Sequence, residues 1–238
     1  MSPIVSARGI TRDFPSGEGF QRVLHGIDLD VRAGEMLLLT GPSGCGKTTL
    51  ISILAAILSA TAGEVTVAGQ RLSAMRAGAL AKFRRDTVGF IFQQYNLLPS
   101  LTAAENAGIP LIAQGTSHRR AVSRARDVLA TLGMAPHSDK FPRQLSGGQM
   151  QRIAIARALV HAPRLIVCDE PTAALDAASG LAAMQLLREA SLAPDRAVIV
   201  VTHDPRIHRF ADRIARMEDG RLIDILEGDA LLAHPTEH

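Results

Sequence analysis

Three short apolar runs, each followed at once by a polar cluster, restrict the fold more than any other feature. They cover Met36–Thr40, Leu165–Cys168 and Val198–Val201. Their continuous rather than alternating apolar character predicts parallel strands that are buried on both faces by helices. Ligand sites in open α/β sheets gather at the carboxyl ends of the strands, so the three polar clusters should meet at one edge. The sequence therefore predicts an α/β fold with a mostly parallel sheet.

Two further regions have different patterns. The first 35 residues contain alternating pieces such as Arg22–Val31, which predict an antiparallel β layer at the edge of the fold. The stretch from Leu80 to about Pro142 carries helical patterns at Ala79–Arg85 and Ser117–Leu132. We therefore expect a mostly helical insert between the first and second apolar runs.

Composition excludes several classes of protein. The 238 residues carry a formal charge of only +3, which gives no indication of a nucleic-acid partner. The longest stretches without charge, Thr48–Gly63 and Thr87–Ala104, are shorter or more polar than the roughly 20 apolar residues that cross a bilayer. Cys45 and Cys168 form no CxxC motif, and the N-terminus has no export signal. A cytoplasmic protein without nucleic acid is expected.

The polar cluster after the first run has the sequence GPSGCGKT and matches the phosphate-loop pattern GxxxxGK[ST]. It lies between a predicted strand and a helical run, Thr49–Leu58. The glycines allow successive N–H groups to point inward, and the helix N-terminus adds positive potential for phosphates. Lys47 should reach the β- and γ-phosphates, and Thr48 should bind magnesium. The candidate nucleotide-binding residues are Gly41, Ser43, Gly44, Cys45, Gly46, Lys47, Thr48 and Thr49.

The second apolar run ends in two adjacent carboxylates, Asp169 and Glu170. Taken alone, such a pair more commonly caps a helix. Together with a phosphate loop it indicates phosphoryl transfer, in which Asp169 holds magnesium or its water and Glu170 orients or deprotonates the attacking water.

A third element, LSGGQ at Leu145–Gln149, opens an amphipathic helix that covers Met150–Val160. Ser146 is the expected N-cap, and Gly147 and Gly148 leave backbone N–H groups unobstructed. The chain thus has a second helix end suited to an anion, and it could serve a nucleotide that is held mainly by another subunit.

At these residues the sequence resembles the ATP-binding cassette (ABC) family over nearly its whole length. LSGGQ is the family's signature, and three other motifs follow the family order: Gln93 in GFIFQQYNLLP, the segment PTAALD at Pro171–Asp176, and His203 in VTHD. The resemblance implies a P-loop NTPase core with an antiparallel β layer and a helical subdomain. It implies one domain over residues 1–238, with the core at about 1–85 and 143–238 and the helical subdomain at about 86–142.

The resemblance also implies roles for these residues. Two copies of the chain would pack head to tail and bind ATP and Mg²⁺, each ATP lying between one phosphate loop and the other copy's Ser146, Gly147, Gly148 and Gln149. His203 would hold the γ-phosphate and the attacking water. Gln93 would sense the magnesium and connect it to the helical insert. Asp176 would communicate between the two sites.

Adenine in this family stacks on an aromatic residue before the phosphate loop. Phe14 in RDFPSG matches that position, where the family usually has tyrosine. Stacking needs the ring and not the hydroxyl. Phe20 is the competing candidate.

The resemblance further implies an ATP-hydrolysing motor subunit of a transporter. Leu72–Asn106 looks like the branch of macrolide exporters, lipoprotein-releasing ATPases and glycolipid exporters. That branch implies export or extraction through a separate transmembrane permease that docks near Gln93–Asn106, with the chain peripheral on the cytoplasmic face of the cell membrane. An amino-acid-type importer and a soluble ABC ATPase without a transport role are the alternatives.

Overall fold

The computed structural model describes residues 3–17, 19–191 and 193–228. The strands are β1 (Val5–Ser16), β2 (Gly19–Val31), β3 (Met36–Thr40), β4 (Ala62–Val67), β5 (Gln70–Arg71), β6 (Val88–Ile91), β7 (Leu165–Asp169), β8 (Ala197–Val201), β9 (Arg213–Glu218) and β10 (Arg221–Glu227). The helices are α1 (Lys47–Leu54), α2 (Ala77–Thr87), α3 (Ala103–Ala113), α4 (His118–Thr131), α5 (Gly147–Leu159) and α6 (Ala177–Ser191).

The main sheet has six strands in the order β10-β9-β3-β8-β7-β6. Every neighbouring pair is parallel except β9 and β10. The three predicted strands, β3, β8 and β7, are its adjacent central members, and their apolar side chains are fully buried. The predicted α/β fold with a mostly parallel sheet is confirmed.

The predicted antiparallel layer is also present. It is a four-stranded sheet in the order β2-β1-β4-β5, in which every neighbouring pair is antiparallel. The N–H of His25 in β2 donates to the carbonyl of Gly220, just before β10, at 2.9 Å. This contact joins β2 to the hairpin that ends the main sheet.

Several element boundaries differ from the expectation, and the helix at the signature covers Gly147–Leu159 rather than Met150–Val160. The helix after the phosphate loop ends at Leu54 rather than Leu58, because the N–H of Ala56 turns back to the carbonyl of Ile53 and Ala56 adopts a positive φ of 57°. In addition, Val88–Ile91, inside the region expected to form the helical subdomain, pairs with β7 as an edge strand of the main sheet.

Helices α3, α4 and α5 pack against one another, and α5 also packs on β6 and α6. Helix α5 therefore connects the helical region to the sheet. Among the described residues, no helix combines the length and the apolar character that crossing a bilayer would require.

The crossing of α5 over β6 depends on Gly89, because an added Cβ there would collide with the carbonyl oxygen of Ala158. We expect Gly89→Ala to lower the free energy of unfolding by about 1–3 kcal/mol, the usual range for overpacking. Gly78→Ala in α2 is the matched control, since a Cβ at Gly78 meets nothing within 4 Å. That change should raise stability by about 0.5–1 kcal/mol. Urea unfolding of both variants measures the difference, and an unchanged midpoint for Gly89→Ala would contradict the close approach.

Candidate functional site

The phosphate loop follows β3 and has a backbone that only glycine allows at two positions. Gly41 has a φ of 141°, and an added Cβ would collide with the carbonyl oxygen of Met217. Gly46, the N-cap of α1, has a φ of 99°, and its Cβ would lie 2.8 Å from Cδ2 of Leu24. These glycines let the loop turn tightly between the two sheets.

The ammonium group of Lys47 lies against this loop. Its Nζ donates to the carbonyls of Gly41 at 2.8 Å and Pro42 at 2.7 Å, and the side chain is only 7% exposed. The N–H groups of Gly44, Lys47 and Thr48 have no backbone acceptor among the described residues. A cation and several unsatisfied donors at one helix N-terminus make a site for an anion such as a phosphate.

The remaining predicted loop residues differ in exposure. Ser43 and Gly44 are exposed, whereas Cys45 is buried with its Sγ 3.6 Å from Nζ of Lys47. Thr49 is half-buried in the first turn of α1. The thiol of Cys45 therefore faces the interior beneath the loop.

Asp169, the last residue of β7, meets the phosphate loop. The hydroxyl of Thr48 donates to Oδ1 of Asp169 at 3.3 Å. Burial raises the pKa of Asp169 above its usual range, as does the nearby charge of Glu170, while the hydrogen bond from Thr48 and the charge of Lys47 act in the opposite direction. The hydroxyl oxygen of Thr48, from the first turn of α1, and the carboxylate of Asp169, from the end of β7, thus lie side by side at the sheet edge.

Glu170 and His203 form a contact at the same edge. His203 Nδ1 lies 2.9 Å from Glu170 Oε1, and an ionised carboxylate requires that Nδ1 carry the proton. Glu170 has a positive φ of 49°, and its N–H donates to the carbonyl of Val201 at the end of β8. The polar clusters after the second and third predicted strands therefore meet, as their positions at the strand ends indicated.

Gln93 lies in the turn after β6, next to the carboxyl end of β7. Its side chain is exposed and makes no hydrogen bond to the described residues. The structure places Gln93 at the sheet edge without joining it to Thr48 or Asp169.

The signature segment, Leu145–Gln149, opens α5 as predicted. Ser146 is the N-cap, and its Oγ accepts from the N–H of Gln149 at 3.3 Å. In return, the amide oxygen of Gln149 accepts from the N–H of Ser146 at 3.0 Å. This capping box leaves Ser146 exposed at the helix N-terminus.

Asp176 lies beside the signature segment. Its Oδ1 accepts from the N–H of Ser179 at 3.0 Å. The hydroxyl of Ser179, and after it the backbone N–H, lower the pKa of Asp176. Ser179 packs closely on the signature, since a Cβ added at Gly148 would lie 3.0 Å from its Oγ. The PTAALD segment and the signature are therefore in contact within one chain.

Tyr95, for which the motifs predict no role, also contacts this region. Its hydroxyl donates to the carbonyl of Ala174 at 3.3 Å and lies 3.1 Å from a Cβ added at Gly147. Arg157 holds the backbone here by donating to the carbonyls of Tyr95 and Asn96, both at 2.6 Å. One available signal was composition, since Tyr95 is the chain's only tyrosine.

Phe14 lies in β1, half-buried, with the guanidinium carbon of Arg12 at 4.5 Å from its ring centroid. The register places Arg12 opposite Leu24, the residue that touches Gly46, and Phe14 opposite Gln21. Phe14 therefore lies further along β1 than Arg12, whose partner Leu24 lies against the phosphate loop. Phe20, the competing candidate, is 78% exposed.

A glycine-rich loop between a central parallel strand and a helix, with an acidic strand end beside it, defines a P-loop nucleotide-binding α/β protein. The profile of the family described as "ABC transporter" matches residues 24–173. The chain belongs to this family.

Relatives in the family include transport proteins and solved cassettes. The chain is 44% identical over 222 residues to "Macrolide export ATP-binding/permease protein MacB 1/2" of Paracoccus denitrificans (strain Pd 1222), covering 93% of this chain and 33% of that protein. It is 43% identical over 225 residues to MacB of Escherichia coli (strain K12), with coverages of 94% and 34%. The chain thus spans about a third of the length of these relatives.

Two solved structures are similar over almost their whole length. The first is a dimeric post-hydrolysis state of the ATP-binding cassette MJ0796 bound to ADP and Pi, with a TM-score of 0.86, 37% identity, and coverages of 94% of this chain and 98% of that one. The second is cbiO1 of Clostridium perfringens, part of the transporter complex cbiONQ, with a TM-score of 0.85, 27% identity, and coverages of 98% and 92%.

Proposed function

We propose that this chain hydrolyses ATP at the seam of a homodimer and drives a transmembrane permease. The observation that carries the proposal is that one chain has two separate helix N-termini suited to an anion, that of α1 at the phosphate loop and that of α5 at the signature. The cavity beside Ser146 and Gln149 shares no lining residue with the cleft beside Glu170 and His203. A head-to-tail dimer supplies the second element to each site, and the dimeric relative bound to ADP and Pi supports that arrangement.

The side-chain oxygen atoms at the carboxyl edge of the main sheet are of the kind that binds magnesium. Thr48 Oγ1 and Asp169 Oδ1 are adjacent, hard ligands, and Gln93 offers an amide oxygen from the next strand end. Protein sites for Mg²⁺ commonly use one or two carboxylates together with substrate phosphates. No cluster of three His, Cys, Asp or Glu side chains occurs in the described part of the chain, which agrees with such a shared site. When bound, magnesium would neutralise charge on the terminal phosphates.

Glu170 and His203 would have different roles in ATP hydrolysis. His203 occupies one oxygen of Glu170, so the other oxygen is free to accept a proton or hydrogen bond from the attacking water. The second ring nitrogen of His203, Nε2, would donate to a γ-phosphate oxygen when the ring carries a proton on both nitrogens. Lys47 would leave its two loop carbonyls to contact the β- and γ-phosphates, which makes nucleotide binding and loop geometry interdependent.

The signature of the partner copy would complete the site. Ser146 and the N–H groups after it would face the γ-phosphate, with Gly147 and Gly148 permitting close approach. Asp176 would transmit the state of one site to the other, because its segment touches the signature through Ser179.

Export through a permease is the direction that the relatives favour over amino-acid import, since both MacB proteins are named for macrolide export. The loop after β6 presents exposed apolar side chains, Phe92 and Leu98, and Ile112 of α3 is exposed as well. We propose that this surface contacts a transmembrane permease and places the chain on the cytoplasmic face of the cell membrane.

Crosslinking the chain in its native membrane, followed by co-purification, tests the transport assignment. We expect a four-span permease with a large extracytoplasmic domain. Recovery of an importer-type permease would support the alternative branch. A soluble partner, without any membrane protein, would contradict the transport function.

Adenine binding by Phe14 can be tested separately. We expect Phe14→Ala to raise the Kd for ATP about tenfold, because stacking of a base on an aromatic ring is worth about 1–3 kcal/mol. Phe14→Tyr should bind as the native protein does. Phe20→Ala is the matched control and should leave the Kd unchanged in a fluorescent-nucleotide titration. If Phe20→Ala weakened ATP binding and Phe14→Ala did not, Phe20 rather than Phe14 would be the residue that stacks on adenine.

A further inference from the structure

A histidine outside the recognised motifs lies against the signature glutamine. His137 ends a short 3-10 helix, Ala135–His137, and its Nε2 is 3.1 Å from Nε2 of Gln149. Both side chains line the cavity beside Ser146. His137 is therefore placed to control the orientation of the Gln149 side chain.

The amide of Gln149 has only one orientation that satisfies its neighbours. Its oxygen accepts from the N–H of Ser146, so the NH₂ group must point toward His137. The flipped amide would set its NH₂ against the N–H of Ser146, which is two donors facing each other. The capping box thus fixes which atom His137 meets.

That orientation in turn fixes the protonation of His137. An NH₂ group only donates, so His137 Nε2 must be the unprotonated acceptor and the ring proton must be on Nδ1. Nδ1 is buried and has no hydrogen-bond partner among the described residues. Protonation of Nε2 would replace the hydrogen bond with a contact between two donors and push Gln149 away.

Few other charged groups face His137. Arg152, from α5, lines the same cavity, and its Nη1 donates to the carbonyl of Leu132 at 2.9 Å. Helix α6 contributes only Ser179 and Ala183 to this cavity, and neither of them titrates. Asp139 pairs with Arg126 of α4. His137 is the one histidine among the residues that line this cavity.

We propose that His137 is a positioning residue for the signature. Neutral His137 holds Gln149 in the capping box and so keeps Ser146 at the helix N-terminus in the arrangement that closes on the partner's ATP. Protonated His137 releases Gln149 and weakens ATP-driven dimerisation. The proposal rests on the proposed function of the signature across the dimer seam.

The first readout is the side-chain amide of Gln149 in ¹⁵N NMR spectra of the monomeric chain without nucleotide. We expect its signals to shift between pH 8 and pH 5.5 in the native protein and to lose that shift in His137→Gln, whose amide oxygen accepts the same hydrogen bond at every pH. His118→Gln, a change at an exposed histidine of α4, should keep the shift. A Gln149 signal that titrates equally in His137→Gln would overturn the proposal.

The second readout is the ATP concentration for half-maximal dimerisation, measured by light scattering in the Glu170→Gln background. At pH 8, His137→Ala should need about fivefold more ATP, the effect of one lost hydrogen bond, and His137→Gln should stay within about twofold of native. At pH 5.5 the native protein should need more ATP than His137→Gln, because only the native protein can lose the hydrogen bond by protonation. Taking the ratio of the two proteins at each pH removes every pH effect that they share.

The two readouts separate the possible failures. Should His137→Ala not fold, His137→Gln still carries both comparisons. If ATP causes no dimer while the Gln149 signal follows His137, the positioning role stands and the proposed function fails. If ATP causes dimers with the same pH dependence in native and His137→Gln proteins, the positioning role fails and the proposed function stands.

Discussion

Glu170→Gln should lower the ATP turnover rate by at least about 100-fold while leaving ATP binding intact, the range expected for loss of a general base. Glutamine has the same size and keeps an oxygen that can accept from Nδ1 of His203, so the local structure should persist. It cannot take a proton from water. Because hydrolysis ends the closed state, the variant should also accumulate as an ATP-bound dimer.

Steady-state phosphate release, ATP titration and size-exclusion chromatography measure these three effects. Glu189→Gln is the matched control, because Glu189 is exposed on α6 and lies outside the site. It should keep native turnover. Native turnover in Glu170→Gln would remove Glu170 from its proposed role, and loss of ATP binding would show that the residue supports the loop instead.

Lys47→Ala should weaken binding itself, with the Kd for ATP raised at least tenfold. A hydrogen bond to a charged group is worth about 1.5–3 kcal/mol, and Lys47 would make such bonds to two phosphates. The change also removes the donor to the carbonyls of Gly41 and Pro42, so the empty loop should become less ordered. Binding, rather than turnover at saturating ATP, is therefore the step that fails.

Calorimetric titration with ATP measures this effect. Lys82→Ala supplies the control, since Lys82 is exposed on α2. It should bind ATP as the native chain does. A Lys47→Ala protein with native affinity would contradict the assignment of the phosphate loop.

The central sheet could be predicted because its strands are continuous apolar runs that need no knowledge of their neighbours. The same reasoning placed Asp169, Glu170 and His203 at one edge. Strand β6 was missed because Val88–Ile91 is short, contains Gly89 and directly follows a helix. Only its pairing with Leu165–Cys168, far along the chain, makes it a strand.

Contacts between loops could not be predicted either, because they also join residues that are far apart in the sequence. Tyr95 reaches Ala174, and His137 reaches Gln149, through turns whose paths depend on the packing of α5 against the sheet. No periodicity in the sequence records these distances. The motif residues alone therefore describe the chemistry of the site but not the contacts that hold its parts in place.

A structure of the Glu170→Gln protein with ATP and Mg²⁺ tests the central claim most directly. The account predicts two ATP molecules, each bound by Gly41–Thr48 of one copy and covered by Ser146–Gln149 of the other, with the Ser146 hydroxyl directed at the γ-phosphate. A nucleotide bound by one copy alone, with the signature of the second copy turned away from it, would contradict the account.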